Sequence, residues 1–415
     1  MAGERLIFHI DVNSAFLSWE AARRVRNGEP DLRDIPSAIG GARDKRTGVI
    51  LAKSIPAKKY GIRTGEPVSE ALRKCPDLVL ARSDFHLYVE NSNAFMDLVR
   101  TYAPVVEKYS IDECFADLTG TSRVYPDPIA LAYEIKDRIR DELGFTVNVG
   151  VADCKILAKM ASDFEKPDRV HTLFRSEMEE KMWPLPVGDL FTVGSATARK
   201  LEEVRIRTIG DLARSDVAYI QRVVGNKLGQ HIWNYANGID LSPVTAERDE
   251  VKGYSNSVTL EEDVTTAEQA HAILLALSES VTARMRRDGV KASCVTVQIR
   301  SNRFKDTTHQ RTLPEPTDIT NEVYDMSRDL FREVWDGKTP LRLLGVALTE
   351  LTDEETAQLS LFGGQDREKA RNLDKATDAI NRKFGSATIV RGTDVGSDLR
   401  VGKKHKAQMD QKKKE

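Results

Sequence analysis

Two acidic positions in this 415-residue chain stand where a structural role for a carboxylate is hard to supply. Asp11 ends the mainly apolar run Leu6-Ile-Phe-His-Ile10, which suits a short buried strand. Asp112 and Glu113 adjoin in Tyr109-Ser-Ile-Asp-Glu-Cys-Phe115, at the apex of a predicted hairpin. Its strands fall within 105–118 and its turn at 110–112. Neighbouring carboxylates repel, and each raises the other's pKa unless a cation neutralises them. Three carboxylates converging from two strand ends form a hard, oxygen-rich site suited to Mg²⁺. Two such ions roughly 3.5–4 Å apart are the arrangement for in-line phosphoryl transfer. On these residues alone a second reading stands, with Asp112 and Glu113 as turn residues and Asp11 as a helix cap.

The elements that must position these acids read as mixed α/β over 1–175. Asn13 and Ser14 offer an N-cap for a helix carrying Phe16 and Trp19. Gly40-Gly-Ala-Arg-Asp-Lys-Arg-Thr-Gly48 suits a hairpin tip. Phe95, Leu98, Val99 and Tyr102 recur at helical spacing. Asp127-Pro128 opens a helix through Ile135, Ile139 and Leu143, and a strand follows over 145–151. From 176 to 241 the pattern becomes compactly helical. Val193-Gly194, Ala198, Leu201, Val204, Ile206 and Thr208-Ile-Gly-Asp-Leu212 fit a helix–hairpin–helix, whose turn amides can hold a phosphate. A plain helical pair fits them as well. A polar linker with Pro243 spans 242–252. Residues 253–351 then run β-α-β-β-α-β, with strands near 254–260, 292–301, 307–313 and 341–348. Apolar helix faces carry Ile273, Leu277 and Val281, and Val323, Leu330 and Val334. A further helix is expected over 366–384, before a lysine-rich tail.

Composition bounds the function. Lys and Arg number 62 against 64 Asp and Glu, a formal charge of −2, which on average argues against a nucleic-acid protein. By region the charge divides, with base at Arg300–Arg311, at Arg199, Lys200, Arg205 and Arg207, and in the tail. No apolar run approaches the roughly 18 residues of a spanning helix, so no membrane role is expected. The N-terminus has no signal-peptide layout, and the four scattered cysteines lack CxxC spacing. A cytoplasmic protein without structural zinc is expected.

Asp11-Val-Asn-Ser-Ala-Phe16, Ser110-Ile-Asp-Glu113, Val149-Gly-Val-Ala-Asp-Cys-Lys155 through Lys159, and Glu165-Lys-Pro167 occur in that order. Together they resemble the Y-family translesion DNA polymerases, close to their DNA polymerase IV branch, over residues 5 to about 362. The resemblance implies an α/β, right-hand fold: a palm (1–15 and 80–175), fingers (16–79), a helix–hairpin–helix thumb (176–241), a linker (242–252) and a β-α-β-β-α-β little finger (253–352). It implies template-directed, low-fidelity insertion of dNTPs without proofreading, on primer-template DNA, by a monomer using two Mg²⁺ ions or substitute Mn²⁺.

Carried over by position, Asp11, Asp112, Glu113 and the Val12 carbonyl become metal ligands. Phe16 falls at the steric gate that excludes a ribose 2′-hydroxyl. Lys166 matches a lysine that reaches the incoming triphosphate. Val49 and Leu51 would roof the nascent base pair. Many relatives grip the β- and γ-phosphates with Thr, Tyr and Arg. Here Ala52, Ile55 and Lys58 stand at those positions, leaving Lys58 with Lys166, helped by Lys53 or Lys59, to carry the triphosphate. Arg300, Arg303, Lys305 and Arg311, on two central strands and their turn, are candidates to track a DNA phosphate backbone.

Gln358-Leu359-Ser-Leu361-Phe362 resembles the pentapeptide that binds the bacterial sliding clamp, with Leu361-Phe362 as apolar anchors. Two alternatives remain: another palm-based nucleotidyl transferase or cyclase, which needs no template or clamp, and a non-catalytic DNA- and clamp-binding adaptor, which would be expected to lose its metal carboxylates.

Overall fold

The computed structural model describes residues 5–41, 48–247, 250–353, 364–385 and 388–389. The chain divides into two compact units, which among the described residues run to 247 and from 250. In the first, β1 (Ile7–Val12), α1 (Ala15–Arg26), β2 (Ser37–Gly40), β3 (Ile50–Lys53), α2 (Ile55–Lys59), α3 (Val68–Lys74), β4 (Val79–Arg82) and α4 (Phe85–Arg100) come first. Then follow β5 (Val105–Lys108), β6 (Glu113–Asp117), α5 (Pro128–Arg138), β7 (Val147–Ala152), α6 (Lys155–Ser162) and β8 (Val170–Thr172). Five helices close the unit: α7 (Met178–Lys181), α8 (Ser195–Glu203), α9 (Ile209–Arg214), α10 (Val217–Val224) and α11 (Asn226–Ala236).

The main sheet has the order β5-β6-β1-β7-β8, so β1 is central and antiparallel to both neighbours. All six residues of β1 and of β7 are buried. Alternation divides β1 between two faces. Phe8, Ile10 and Val12 join the core with Phe95 of α4 and Ile135 of α5. His9 and Asp11 share the opposite face, which α6 covers, as the His9–Ser162 contact shows. Gly150 permits that cover: a Cβ there would lie 2.0 Å from the Ala158 carbonyl oxygen and 2.6 Å from the Ser162 amide. Only glycine lets α6 settle so close to β7.

A smaller sheet, β3-β2-β4, carries the region expected as fingers. Its β2 and β3 pair antiparallel, as the glycine-rich stretch between them suggested, and the tip at 42–47 is outside the described residues. Asp127 caps α5 through the amides of Ile129 and Ala130, with Pro128 in the first turn. The expected cap of α1 is not made. Ser14 stands at the N-cap with φ 48° and no side-chain hydrogen bond, and Asn13 is committed elsewhere, as described below. In the helical segment, α8 and α9 flank a short turn in which Arg205 takes φ 66°. Thr208 and Asp211 close a capping box on α9.

The second unit runs β9 (Gly253–Val264), α12 (Ala267–Arg287), β10 (Lys291–Ser301), β11 (Asp306–Thr317), α13 (Thr320–Val334), β12 (Leu341–Thr352) and α14 (Gly364–Phe384). The antiparallel sheet has the order β11-β10-β12-β9. Val295, Val297 and Val346 pack with Ile273, Leu277 and Val281 of α12 and Leu330 of α13. The opposite face is made of small or polar residues, including Ser255, Ser257, Thr296, Gln298, Gly345 and Ala347. Strand β11 is an edge strand, which corrects the expectation that both basic strands are central. The last helix, α14, is tied down by charge: Arg286 reaches Asp374 (3.2 Å) and Asp378 (2.7 Å), Arg371 reaches Asp318 (2.8 Å), and Arg367 reaches Glu322 (2.6 Å).

Candidate active site

Pairing β1 with β6 sets Asp11 directly opposite Glu113, and pairing β1 with β7 sets Asn148 on its other side. Asp112 lies one residue before β6, in the turn, and its carbonyl accepts from the Val12 amide at 3.0 Å. The sheet therefore brings the three acids to one end of its centre, on the face that α6 covers for Asp11 and Glu113.

Each acid has its own partner. Asp11 is 6 % exposed and pairs with the Lys166 ammonium, which also reaches Asp163 at 2.8 Å. Burial raises the Asp11 pKa to about 6, against the opposing pull of Lys166. Glu113 accepts from Lys159 at 2.9 Å, and His9 Nε2 stands 3.7 Å away. Burial pushes Glu113 up too, but its contacts with His9 and Lys159 outweigh it and hold the carboxyl at about 2. At 3.7 Å the histidine is beyond a full hydrogen bond, so Lys159 is the stronger partner. His9 itself is shifted down by burial and by the Lys159 charge, so it stands neutral, with Nδ1 2.7 Å from the Ser162 hydroxyl. Asp112 accepts from Ser110 Oγ at 2.6 Å. Mutual repulsion between Asp112 and Glu113, expected from their adjacency, is not what governs Glu113: alternation sends it to Lys159 while the turn folds Asp112 back on Ser110.

Several of these partners were not singled out from the sequence. Asn13 Nδ2 donates to Asn148 Oδ1 at 3.1 Å, and Asn13 Oδ1 accepts from the Asp168 amide at 2.9 Å. Asn148 Nδ2 in turn donates to the carbonyls of Ser162 and Glu165. This buried amide pair pins the segment that carries Lys166. The signals were available: polar residues within otherwise apolar strand runs, at His9 and Asn148, and a lysine one turn after Lys155 on an apolar helix.

Among the described residues, no three His, Cys, Asp or Glu side chains approach closely enough to enclose a metal ion. The donors nevertheless fit a hard divalent cation. Asp11 and Glu113 face each other across one strand pair, offer only carboxylate oxygen, and each already binds an ammonium. The raised pKa of Asp11 shows that its anion remains under-compensated, so further positive charge there is stabilising.

Phe16, on α1, is half-buried and stacks on Tyr88 with centroids 4.6 Å apart, in a ring cluster with Trp19 and Phe85. Val49, just before β3, is exposed and Leu51, within it, is half-buried. Ala52 is buried in β3, Ile55 is 58 % exposed at the start of α2, and Lys58 is exposed on the same helix. Lys53 is shifted down by burial and by repulsion from Lys58, so the two ammoniums share one positive field.

The basic residues of the second unit do not act as one set. Arg300 is held by Asp306 (2.7 Å), and Arg311 by Glu333 (2.5 Å). Arg311 is the register partner of the buried Val295, so it lies on the helix-covered side, whereas Arg300, five residues along β10, lies on the open side. An odd spacing along a strand enforces that separation. Arg303 and Lys305 form no ion pair among the described residues. Gln358, Leu359, Leu361 and Phe362 lie outside the described residues.

A carboxylate-bearing central sheet, backed by helices and followed by a helix–hairpin–helix, is the build of a polymerase-type nucleotidyl transferase. Residues 10–163 match the impB/mucB/samB family, 251–361 its C-terminal domain, and 188–240 a thumb domain described from DNA polymerase-iota. A protein of Clostridium acetobutylicum named DNA polymerase IV is 44% identical over 93% of this chain and 97% of its own. DNA polymerase IV of Acetivibrio thermocellus is 36% identical over 94% of this chain and 97% of its own. DNA polymerase IV 1 of Bacillus subtilis is 36% identical over 94% of this chain and 92% of its own. A solved Y-family DNA polymerase chimera superposes with a TM-score of 0.74 at 22% identity, covering 84% of this chain and all of that one. The chain belongs to the Y-family DNA polymerases, with the DNA polymerase IV proteins as its relatives. It has the palm, fingers, helix–hairpin–helix thumb and little finger of that fold, and it is a DNA-directed DNA polymerase of translesion type that depends on divalent metal and works on DNA and dNTPs. Among the described residues no helix is long and apolar enough to cross a membrane.

Proposed function

We propose that Asp11, Asp112 and Glu113, with the Val12 carbonyl, hold two Mg²⁺ ions, for which Mn²⁺ can substitute, at the end of β1 and β6. The observation that carries this is the opposition of Asp11 and Glu113 on adjacent strands, with the buried Asp11 carboxyl short of positive charge. Held by these residues, the ions would supply Lewis-acid activation of the primer 3′-hydroxyl and offset charge on the phosphates. Asp112 keeps one carboxylate oxygen on Ser110 and would offer the other to the set. Glu113 stays ionised and aligned by Lys159 throughout. Lys166 would exchange its Asp11 contact for phosphate oxygens of the incoming nucleotide while Asn13 and Asn148 keep its segment in place.

Lys58, supported by Lys53, supplies the second positive contact to the triphosphate, replacing the Thr, Tyr and Arg grip with point charges. Val49 and Leu51 roof the base pair. Phe16 is the steric gate, and its stack on Tyr88 fixes the ring so that a 2′-hydroxyl cannot push it aside. Of the little-finger residues, Arg300 on the open sheet face, with Arg303 and Lys305 in the turn, contacts the DNA backbone, after Arg300 exchanges Asp306 for phosphate. Arg311 contributes only from the edge. Gln358, Leu359, Leu361 and Phe362 bind the sliding clamp, and the enzyme acts as a cytoplasmic monomer with the domain limits given by the sequence. Primer extension with dNTPs or NTPs tests the gate. Phe16→Ala is expected to raise NTP insertion about ten-fold or more at little change in dNTP insertion. Equal NTP exclusion by both proteins would remove Phe16 from the role.

A further inference from the structure

A cavity of about 570 Å³ opens at one end of the second unit, between the β10–β11 turn, the C-terminal end of α13 and the segment entering β12. Arg303 and Lys305 come from the turn, Trp335 and Lys338 from the other wall, and Ile299 and Leu341 from the sheet. The volume lies in the range of small-molecule sites.

Its chemistry is specific in three ways. The neighbouring cations Arg300 and Arg311 are neutralised by Asp306 and Glu333, but Arg303, Lys305 and Lys338 form no ion pair among the described residues. The one acid in the lining, Asp336, is spent on its own turn: its oxygens accept from the Lys338 amide (2.9 Å), the Thr339 amide (2.7 Å) and the Thr339 hydroxyl (2.5 Å). The indole of Trp335 is held in a fixed attitude. It stacks on the buried Phe331 ring at 5.2 Å and 26°, and its Nε1 donates to the Thr339 carbonyl at 2.8 Å. A half-buried, pre-oriented aromatic ring beside three cations that outnumber the single Asp336 carboxylate is the pairing that binds a base by its π-face and its phosphate by charge.

We propose that this cavity binds an unpaired nucleotide of single-stranded DNA, with the base on Trp335 and the phosphate among Arg303, Lys305 and Lys338. A duplex keeps its base faces in the stack, so only an unpaired nucleotide can present a ring and a phosphate here together. The proposal rests on the reading of this chain as a DNA-binding polymerase. It adds to that reading a seat for single strand on the helix side of the little finger, in which Arg303 and Lys305 of the backbone-tracking turn are joined by Trp335 and Lys338.

The test is a tryptophan-fluorescence titration of the full chain with an oligothymidylate of about eight nucleotides, without duplex, whose backbone would compete for Arg303 and Lys305. dTMP and inorganic phosphate are titrated in parallel. The oligonucleotide is expected to quench the wild-type signal. Trp335→Phe keeps a ring but removes the reporter and is expected to lose that quench. Lys338→Glu is expected to weaken binding about ten-fold and to reduce the slope of log K against log salt by about one. Quenching unchanged in Trp335→Phe, or affinity unchanged in Lys338→Glu, overturns the site. Inorganic phosphate binding as well as the oligonucleotide reduces it to an anion site and also overturns the proposal, and dTMP binding as well as the oligonucleotide overturns the assignment to a strand. Primer extension by the wild type, measured separately, reports on the polymerase reading alone, so the two failures are distinguishable.

Discussion

Asp11 is 6 % exposed, and its burial raises the carboxyl from 3.8 to about 6. A raised folded-state pKa means that the folded protein binds the proton more tightly than the unfolded chain. The penalty for ionising Asp11 is therefore absent below about pH 4, grows through pH 6 and is complete above it. Asp11→Asn is expected to stabilise the metal-free protein by on the order of 1–3 kcal/mol above pH 6 and by almost nothing at pH 4. Denaturant unfolding at the two pH values measures this, and equal effects at both would mean that Lys166 already compensates the charge. Glu113 behaves oppositely. Its pKa, held at about 2 against a model-peptide 4.5, contributes stability that is present above pH 4.5 and lost as pH falls towards 2. Asp11, Asp112 and Glu113 were legible in the sequence because carboxylates on short apolar strands are conspicuous. The cations that neutralise them were not, because Lys159 and Lys166 reach their acids across α6 and its following loop, 46 and 155 residues distant in the chain. Nor did sequence order reveal that Arg300 and Arg311 lie on opposite sheet faces, since that depends on the β10–β11 register.

At the scale of elements, the palm depends on how closely α6 lies on β7. A methyl at Gly150 would meet backbone atoms 2.0 and 2.6 Å away, which no side-chain adjustment can relieve. Gly150→Ala is thus expected to destabilise the first unit by about 3 kcal/mol or more and to displace Lys159 from Glu113. Thermal unfolding reads the first effect and primer extension the second, and a variant of wild-type stability and activity would show that α6 can shift without cost. The strand–helix order of the second unit, and the β1, β5, β6, α5 and β7 elements of the first, were legible because buried runs, Asp127-Pro128 and the amphipathic faces around Ile273 and Val323 carry them directly. The short elements α2, α3, β4 and β8 were not read. The cap of α1 was misjudged because Asn13 serves the tertiary network with Asn148 and Asp168 rather than the local amides. Local propensity gave way there to a buried polar network, which must be satisfied in full.

At the scale of the molecule, the net charge of −2 conceals a partition. Acid gathers at the centre of the palm sheet, while cations left free among the described residues gather at the β10–β11 turn. A second partition binds α14 to the little finger through Arg286, Asp374, Asp378, Arg371 and Asp318. Arg286 and Asp374 are nearly buried, at 6% and 10% side-chain exposure, and Arg286 also holds Asp378, so removing the guanidinium takes one cation from two acids of α14. Arg286→Ala is expected to cost about 3–5 kcal/mol of α14 docking, seen as faster proteolytic clipping within 364–384. Unchanged clipping would show that the remaining pairs suffice. The central claim is that the acids opposed on β1 and β6 carry nucleotidyl transfer on a template. Primer extension by the wild type and by Glu113→Gln, on one primed template with dNTPs and Mg²⁺, tests it most directly. Template-directed extension by the wild type, with a loss of about 10³-fold or more in the variant, is the predicted result. A wild type that does not extend, or a variant that extends equally well, would contradict the account.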